Sequence, residues 1–446
     1  MTAHRGGAPA RTPTPGAAVA FADLGRPFVI AHRGGALQVP EHTLEGYRVA
    51  VGQGLPVIEQ DVSVLADGGL GVMHDGTVDR TTTSTGNVAD HTSVSWKQLD
   101  IDASVTLGGG WPDGLRPPLF EEVLTEFGNR VLLCAEAKSR DAMGPMIDAL
   151  DRRGISPASV LLQSYALADC RLARSRGWDV VWLGSTDVAR AAAEGIGWIG
   201  PEAGSVTEAV CTRAHAAGIE VACHTVNRRH QRDALLADGV DAVFSDDPVY
   251  VAGDAGRRTS DLFARQVWLP GMLPDTGRGR FHPDDSSWGC DASDAATSTL
   301  MGFLAPPDPA AFTLHLDIRV DEVRADSRSS CGWVLLSTDD HPYRPSRPSP
   351  GAHGYLLLLR ADGDLEVRRV TEGVATTLAS STGGPVLRAG AYVPLRVRVT
   401  PSSLLFARAD TDGVTVTVPD ATHRPVPVVH LGSASAGVRF RNLVLA

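Results

Sequence analysis

Cysteine is scarce in this chain: six residues in 446, with no CxxC spacing, exclude a disulfide framework and a thiolate metal site. Cys134 and Cys223 fall in expected strands and Cys170 and Cys211 in expected helices, where buried free thiols are the natural state. Cys290 and Cys331 share the later part of the chain and are the one pair left to bridge in an oxidising compartment. No basic stretch leads into an apolar core of roughly seven to fifteen residues, and no apolar run is long enough for a transmembrane segment. The cytoplasm is therefore the expected location, with secretion as the alternative. Positive charge is also in deficit, 41 Lys and Arg against 52 Asp and Glu, which argues against nucleic acid as a partner.

What the chain concentrates is histidine and carboxylate. His32, Arg33, Glu41, Glu59, Asp61, His74 and Asp75 fall within one short stretch, on segments that read as strand ends or the turns after them. Glu59 and Asp61 lie two apart in a β-branched run, so strand period two turns both to one side. Carboxylates held that close repel unless a cation separates them, and a hard divalent ion is the usual answer. Glu136 ends a second apolar run, and Lys138 shares its parity. His32 and His74 each follow a short apolar run, which suits a pair that takes one proton and gives another. Arg33 and Lys138 add the charge that clamps a phosphate.

Each piece has an ordinary reading as well. A lone histidine at a strand end is usually a hydrogen-bonded structural residue, Glu41 suits a helix N-terminus, and Glu136 with Lys138 makes an unremarked ion pair. Their joint occurrence points to metal-assisted phosphoryl transfer.

The strings Ala31-His32-Arg33-Gly34-Gly35, Pro40-Glu41-His42-Thr43, Glu59-Gln60-Asp61, His74-Asp75-Gly76-Thr77 through Thr82, Glu136-Ala137-Lys138 and Gly239 through Pro248 together resemble the glycerophosphodiester phosphodiesterase family over residues 27 to 250. The resemblance implies His32 and His74 as the general acid/base pair. It implies Glu59, Asp61 and Glu136 as ligands of a calcium or magnesium ion, and Arg33, Glu41 and Lys138 as substrate-positioning groups. It further implies attack by a glycerol hydroxyl on its own phosphorus, followed by opening of the cyclic product by water. This sequence departs from the family at His42, where asparagine is usual, at Gln60, where an apolar residue is usual, and at His224, where tryptophan is usual. His42 and Gln60 flank the ligands, while His224 is expected to line the substrate pocket, which leaves the substrate open.

Along the chain, residues 1–25 read as a disordered tail in which Ala3-His4-Arg5-Gly6-Gly7-Ala8 repeats the later string by coincidence. Residues 26–250 alternate short apolar runs with helical patterns, which predicts a parallel sheet closed as a (β/α)8 TIM barrel with its ligands at C-terminal strand ends. The stretch from 76 to 118 reads as loops over the barrel mouth, with Trp111 either capping the pocket or shielding a loop. Residues 251–266 read as a linker. From 267 to 446 strand alternation predicts an all-β sandwich. It has a weaker likeness to a laminin-G or concanavalin-like jelly roll, a class that often binds glycans. The leading expectation is hydrolysis of a small-molecule glycerophosphodiester. The alternatives are the same chemistry on a lysophospholipid or a teichoic-acid-like polymer held by the sandwich, or a binding protein built on an inactive barrel.

Overall fold

The computed structural model describes residues 19–103, 107, 111–253, 263–276, 279–290, 299–306, 308–321, 331–344, 347–434 and 436–445. The chain divides into two compact units. One comprises residues up to Asp102 with Pro112–Asn227 and Gln231–Pro248, and the other comprises Ala103–Trp111, Arg228–His230 and Val249 onward.

In the first unit the strands are β1 (Phe28–Ala31), β2 (Val57–Val64), β3 (Leu70–Val72), β4 (Leu132–Ala137), β5 (Val160–Ser164), β6 (Val180–Leu183), β7 (Trp198–Gly200), β8 (Glu220–Cys223) and β9 (Ala242–Ser245). They run in the order β1-β9-β8-β7-β6-β5-β4-β2, and β1 pairs back onto β2, so eight parallel strands close into a TIM barrel. Helices such as Phe120–Phe127, Met143–Arg152, Leu167–Ser175 and Glu208–Ala216 lie between the strands, in the alternation that the sequence predicts. The barrel base is filled by Ile30, Val57, Leu132, Leu161, Val181, Trp198 and Ala222, one or two from nearly every strand.

Two sequence expectations need correction here. The apolar run ending at His74 is not a barrel strand: β3 lies antiparallel on the far half of β2, pairing Val62 with Val72 and Val64 with Leu70. The tail expected through residue 25 also ends early, because Phe21 is buried against Phe28 at the barrel base. Burying a phenyl ring outweighs the lack of a regular pattern around it. His4 and residues 254–262 of the expected linker lie outside the described residues.

The second unit carries two seven-stranded antiparallel sheets that form a sandwich. Strand Phe312–Val320 alternates strictly, with Leu314, Leu316 and Ile318 in the core and His315 exposed. Strand Gly354–Arg360 breaks that rule with four consecutive leucines, because both its faces are covered. Tyr355, Leu357 and Leu359 enter the main core, whereas Leu356 and Leu358 pack with Trp333 and Tyr343 in a separate cluster. Strands at Ser287–Cys290, Thr299–Phe303, Cys331–Ser337, Val374–Ser380 and Val428–Ala434 were not expected from the sequence. The side chains of Cys290 and Cys331 lie outside the described ones, whereas Cys134, Cys170, Cys211 and Cys223 are free and buried. Trp111 belongs to this unit and is partly buried against its core.

Leu161 sits 1% exposed among the base residues of the barrel. Leu161→Ala should cost about 2–5 kcal/mol by lost transfer energy and the cavity left behind. A fall in the urea midpoint of barrel unfolding corresponding to less than about 1 kcal/mol would contradict this packing.

Candidate active site

The cavity above the barrel base is built by strand parity. Val57 faces the barrel interior, so Glu59 and Asp61, two and four residues on, continue upward on the same side. The same step leads from Ile30 to His32, from Cys134 to Glu136 and Lys138, from Leu161 to Gln163 and Tyr165, from Ala222 to His224, and from Phe244 to Asp246. Register then brings neighbours together: Asp61 lies opposite Glu136, and Glu136 opposite Gln163. The resulting cavity has a volume of about 490 Å³, and His32, Arg33, Glu59, His74, Glu136, Lys138 and His224 line it. Seven of the nine residues expected at the site are thus on its wall. Asp61 is buried behind that wall and Glu41 stands outside it. Trp111 does not line it.

Glu59, Asp61 and Glu136 are all buried. Two unit charges about 4 Å apart at an effective dielectric near 20 repel by about 4 kcal/mol, too much for all three to stay ionised without cations. Burial first, and the Asp61 charge second, push Glu59 well above the ordinary carboxylate range. The same two causes raise Glu136 to about 8. Asp61 goes the other way: burial opposes its charge, but the His42 hydrogen bond and the nearby Lys138 and Arg33 outweigh it and hold the carboxyl low. Lys138 Nζ lies 3.1 Å from Glu136 Oε1 and 3.5 Å from Asp61 Oδ1. Arg33, at φ 54°, turns its backbone N–H onto Glu59 Oε2 at 2.7 Å, with its Nε 3.7 Å from Asp61.

His42 does more than flank this group. Its Nε2 is 2.8 Å from Asp61 Oδ2 and its Nδ1 is 2.8 Å from the Tyr47 hydroxyl, both interactions buried. Its backbone is left-handed at φ 54°, a conformation that asparagine and histidine both tolerate, which makes the exchange noted in the sequence sterically open. Ligand atoms of His42, Glu59 and Asp61 all lie within 4.8 Å of one another. Glu136 joins through its strand pairing with Asp61. Hard oxygen donors, two of them reluctant to ionise alone, fit a hard divalent cation.

Both histidines are held through Nδ1. His32 Nδ1 lies 2.6 Å from Asp246 Oδ1, and Asp246 also accepts from Asn227 Nδ2 at 2.9 Å. Burial opposes the charge on Asp246, yet the His32 and Asn227 hydrogen bonds keep its pKa lowered. His74 Nδ1 lies 2.7 Å from Asp75 Oδ1. Burial lowers the His74 pKa against the raising effect of that bond. Arg80 then ties Asp75 to Glu41: its Nε donates to Asp75 at 2.6 Å, and its two terminal nitrogens donate to the two Glu41 oxygens at 2.7 Å each. Glu41 is therefore committed to a bidentate arginine pair, with Arg33 Nη1 a further 3.4 Å away. It does not cap the helix Leu44–Gly52, whose N-terminus is served by Thr43.

Arg80, Asp246, Gln163 and Tyr165 received no role from the sequence. Arg80 and Asp246 stand inside two of the recognised strings, and the carboxylate two residues beyond an inward Phe244 was the available signal for Asp246. Tyr165 Oη lies 3.1 Å from His224 Nε2. His224, shielded by burial and facing the field of His32, has a lowered pKa.

Fold and site together define a TIM-barrel protein with paired imidazoles over a cluster of buried carboxylates. Residues 32–250 match the Glycerophosphoryl diester phosphodiesterase family, and the chain carries a domain of that family. It is 36% identical over 157 residues to the glycerophosphodiester phosphodiesterase of Bacillus subtilis (strain 168), covering 32% of this chain and 53% of that protein. It is 42% identical over 94 residues to human (Homo sapiens) glycerophosphodiester phosphodiesterase 1, covering 21% of this chain and 28% of that one. The chain thus spans about half the length of the first relative and less of the second. Among solved structures, a phosphodiesterase from Oleispira antarctica in complex with the product sn-glycerol-3-phosphate aligns at 25% identity and a TM-score of 0.47, over 51% of this chain and 96% of that one. A putative glycerophosphoryl diester phosphodiesterase from Agrobacterium tumefaciens aligns at 23% identity and 0.46, with the same coverages.

The hydrogen bond from Arg80, ahead of burial and of the bond to His74, sets the charge state of Asp75, whose pKa is lowered to about 2. A depressed carboxylate adds stability above its unfolded pKa of about 3.9, and that contribution is lost as pH falls toward about 2. In Arg80→Gln the Asp75 carboxyl should titrate closer to 3.9 when followed by carboxyl-carbon NMR. An unmoved midpoint would remove Arg80 from this role.

Proposed function

We propose that the barrel hydrolyses glycerophosphodiesters to glycerol phosphate and an alcohol, with His32 and His74 as the acid/base pair. The observation that carries the reading is that both imidazoles line one cavity with Nδ1 fixed on a carboxylate, which leaves each Nε2 to exchange a proton with substrate. One imidazole takes the proton of the attacking glycerol hydroxyl, and the other gives a proton to the departing alkoxide. Water then opens the cyclic diester with the two roles exchanged. Arg33 and Lys138, on the same wall, sit beside the phosphoryl oxygens and oppose their charge. Glu59, Asp61 and Glu136, with His42 adjoining, would hold a calcium or magnesium ion. When bound, such an ion supplies charge that stabilises the phosphoryl oxygens as negative charge builds on them. Glu41 acts through Arg80 and Asp75 on His74, and so positions a catalytic group without touching substrate.

No helix among the described residues is long and apolar enough to cross a membrane. Glycerol 3-phosphate release from glycerophosphoglycerol and glycerophosphocholine should occur with calcium or magnesium and stop with excess chelator. His32→Ala should lower kcat by about 10²–10⁴. Undiminished turnover in that variant would sink the assignment.

The proton inventory gives a second test. Glu136 at about 8 is mostly protonated at pH 7, so a cation that binds its carboxylate must displace a proton, and binding should tighten as pH rises through about 8. Calorimetry of calcium addition in buffers of different ionisation enthalpy should detect net proton release near pH 7, reduced in Glu136→Gln. Binding without proton release would contradict this ligand set.

A further inference from the structure

Glu202 is the carboxylate on the cavity wall that the chemistry at phosphorus leaves over. It follows β7 by the parity step from Trp198 through Gly200, and its backbone bridges to that of His224 just beyond β8. In the closed ring of eight strands β7 stands four places from β2 in either direction, so Glu202 is across the barrel from Glu59. Arg33 after β1 and Lys138 after β4, the arginine and the lysine of the lining, flank β2 instead. Glu59 accepts from the Arg33 backbone and Glu136 pairs with Lys138, but the exposed Glu202 side chain has no hydrogen bond or ion pair among the described residues. The Tyr165 ring also lines the cavity and is 54% exposed. It is held by its hydroxyl on His224 and by the gap at Gly184, where a Cβ would meet Tyr165 Cδ1 and Cε1 at 3.1 Å. The charge of Glu202 acts on the Tyr165 hydroxyl and on the His224 ring, in both cases behind the larger effect of burial.

An aromatic ring half open to a cavity, within the field of an unpaired carboxylate, is an arrangement that holds an organic cation. We infer that the side of the cavity built by Tyr165 and Glu202 is a subsite for a cationic leaving alcohol, a quaternary ammonium alcohol such as choline, an inference that rests on the phosphodiesterase reading above. The glycerol end of the substrate stays at phosphorus, because its hydroxyl attacks there. The alcohol is the part left to extend across the barrel. A trimethylammonium group that lies against the ring also compensates the Glu202 charge. An alkyl alcohol of the same shape displaces water from that carboxylate and returns nothing. A neutral polyol hydrogen-bonds to Glu202 but forgoes the ring. A glycerol-phosphate polymer brings its next phosphate toward a like charge, which repels it.

The test compares kcat/KM of the full chain, in calcium or magnesium, on glycerophosphocholine, on its neutral isostere with a tert-butyl group in place of trimethylammonium, and on glycerophosphoglycerol. The choline diester should exceed its isostere by about tenfold. Glu202→Gln should shrink that ratio about threefold to fivefold, and Glu202→Lys should shrink it further, in each case through KM of the choline diester. Tyr165→Leu should shrink it as well, whereas Tyr165→Phe keeps the ring and should preserve it, which separates the ring from the hydroxyl on His224. Should a Tyr165 variant fail to fold, Glu202→Gln, at an exposed position, decides alone. A ratio near one in the unaltered chain, a ratio unmoved by Glu202→Gln or Tyr165→Leu, or its loss in Tyr165→Phe would overturn the subsite, while turnover of glycerophosphoglycerol keeps the phosphodiesterase in place. Turnover of none of the three, with either ion, would instead overturn the phosphodiesterase reading, and the subsite with it.

Discussion

Repulsion among Glu59, Asp61 and Glu136 is the constraint around which the upper barrel is arranged. Two adjacent parallel strands carry them inward, and nothing in strand geometry separates them. The chain answers from three different segments: Arg33 from the turn after β1 and Lys138 from the end of β4 bring positive charge, and His42 from the turn before the first helix brings a buried hydrogen bond. Only Asp61 is reached by all three, and it alone is held firmly ionised; Glu59 and Glu136 are left inclined to neutrality. Charge has been distributed unevenly over three chemically similar groups, and the unevenness comes from which cations and hydrogen bonds reach which oxygens.

A second tier of contacts governs the imidazoles. His32 depends on a carboxylate from the last barrel strand's exit, and His74 on its own neighbour Asp75, which Arg80 and Glu41 immobilise in turn. Bidentate arginine pairs are geometrically demanding, so the Arg80 fork fixes direction as well as charge. Of the carboxylates in this part of the chain, some would bind and some only hold other side chains in place. On the proposed reading Glu41, paired with Arg80, is of the latter kind, where the family resemblance implied a substrate-positioning role.

The barrel could be read from the sequence because parallel strands buried on both faces leave continuous apolar runs, and because each site residue follows such a run in the same parity. Where that logic failed, a physical reason can be named. Leu70–Val72 has the composition of a barrel strand, but antiparallel pairing is decided by the short hairpin that precedes it. Arg80 and Asp246 act through contacts made across 39 and 214 residues of sequence, which local pattern cannot encode. In the sandwich, Phe312–Val320 was plain by alternation. Val374–Ser380, lying last in its sheet and mostly exposed, and Ser287–Cys290, only four residues long with a glycine among them, owe their strand state to neighbours instead of to their own composition.

Lys138 bridges Glu136 and Asp61 inside the cavity, and it is one of only two lysines in the chain, the other being Lys97, paired with Glu122. All other cationic side chains apart from histidine are guanidinium groups, inert to reagents that acylate amines. An amine-directed label therefore has just two lysine addresses in 446 residues, one outside the cavity lining and one within it. The relative yields at those two positions make the protein its own gauge of how full the cavity is, with no label having to be engineered in.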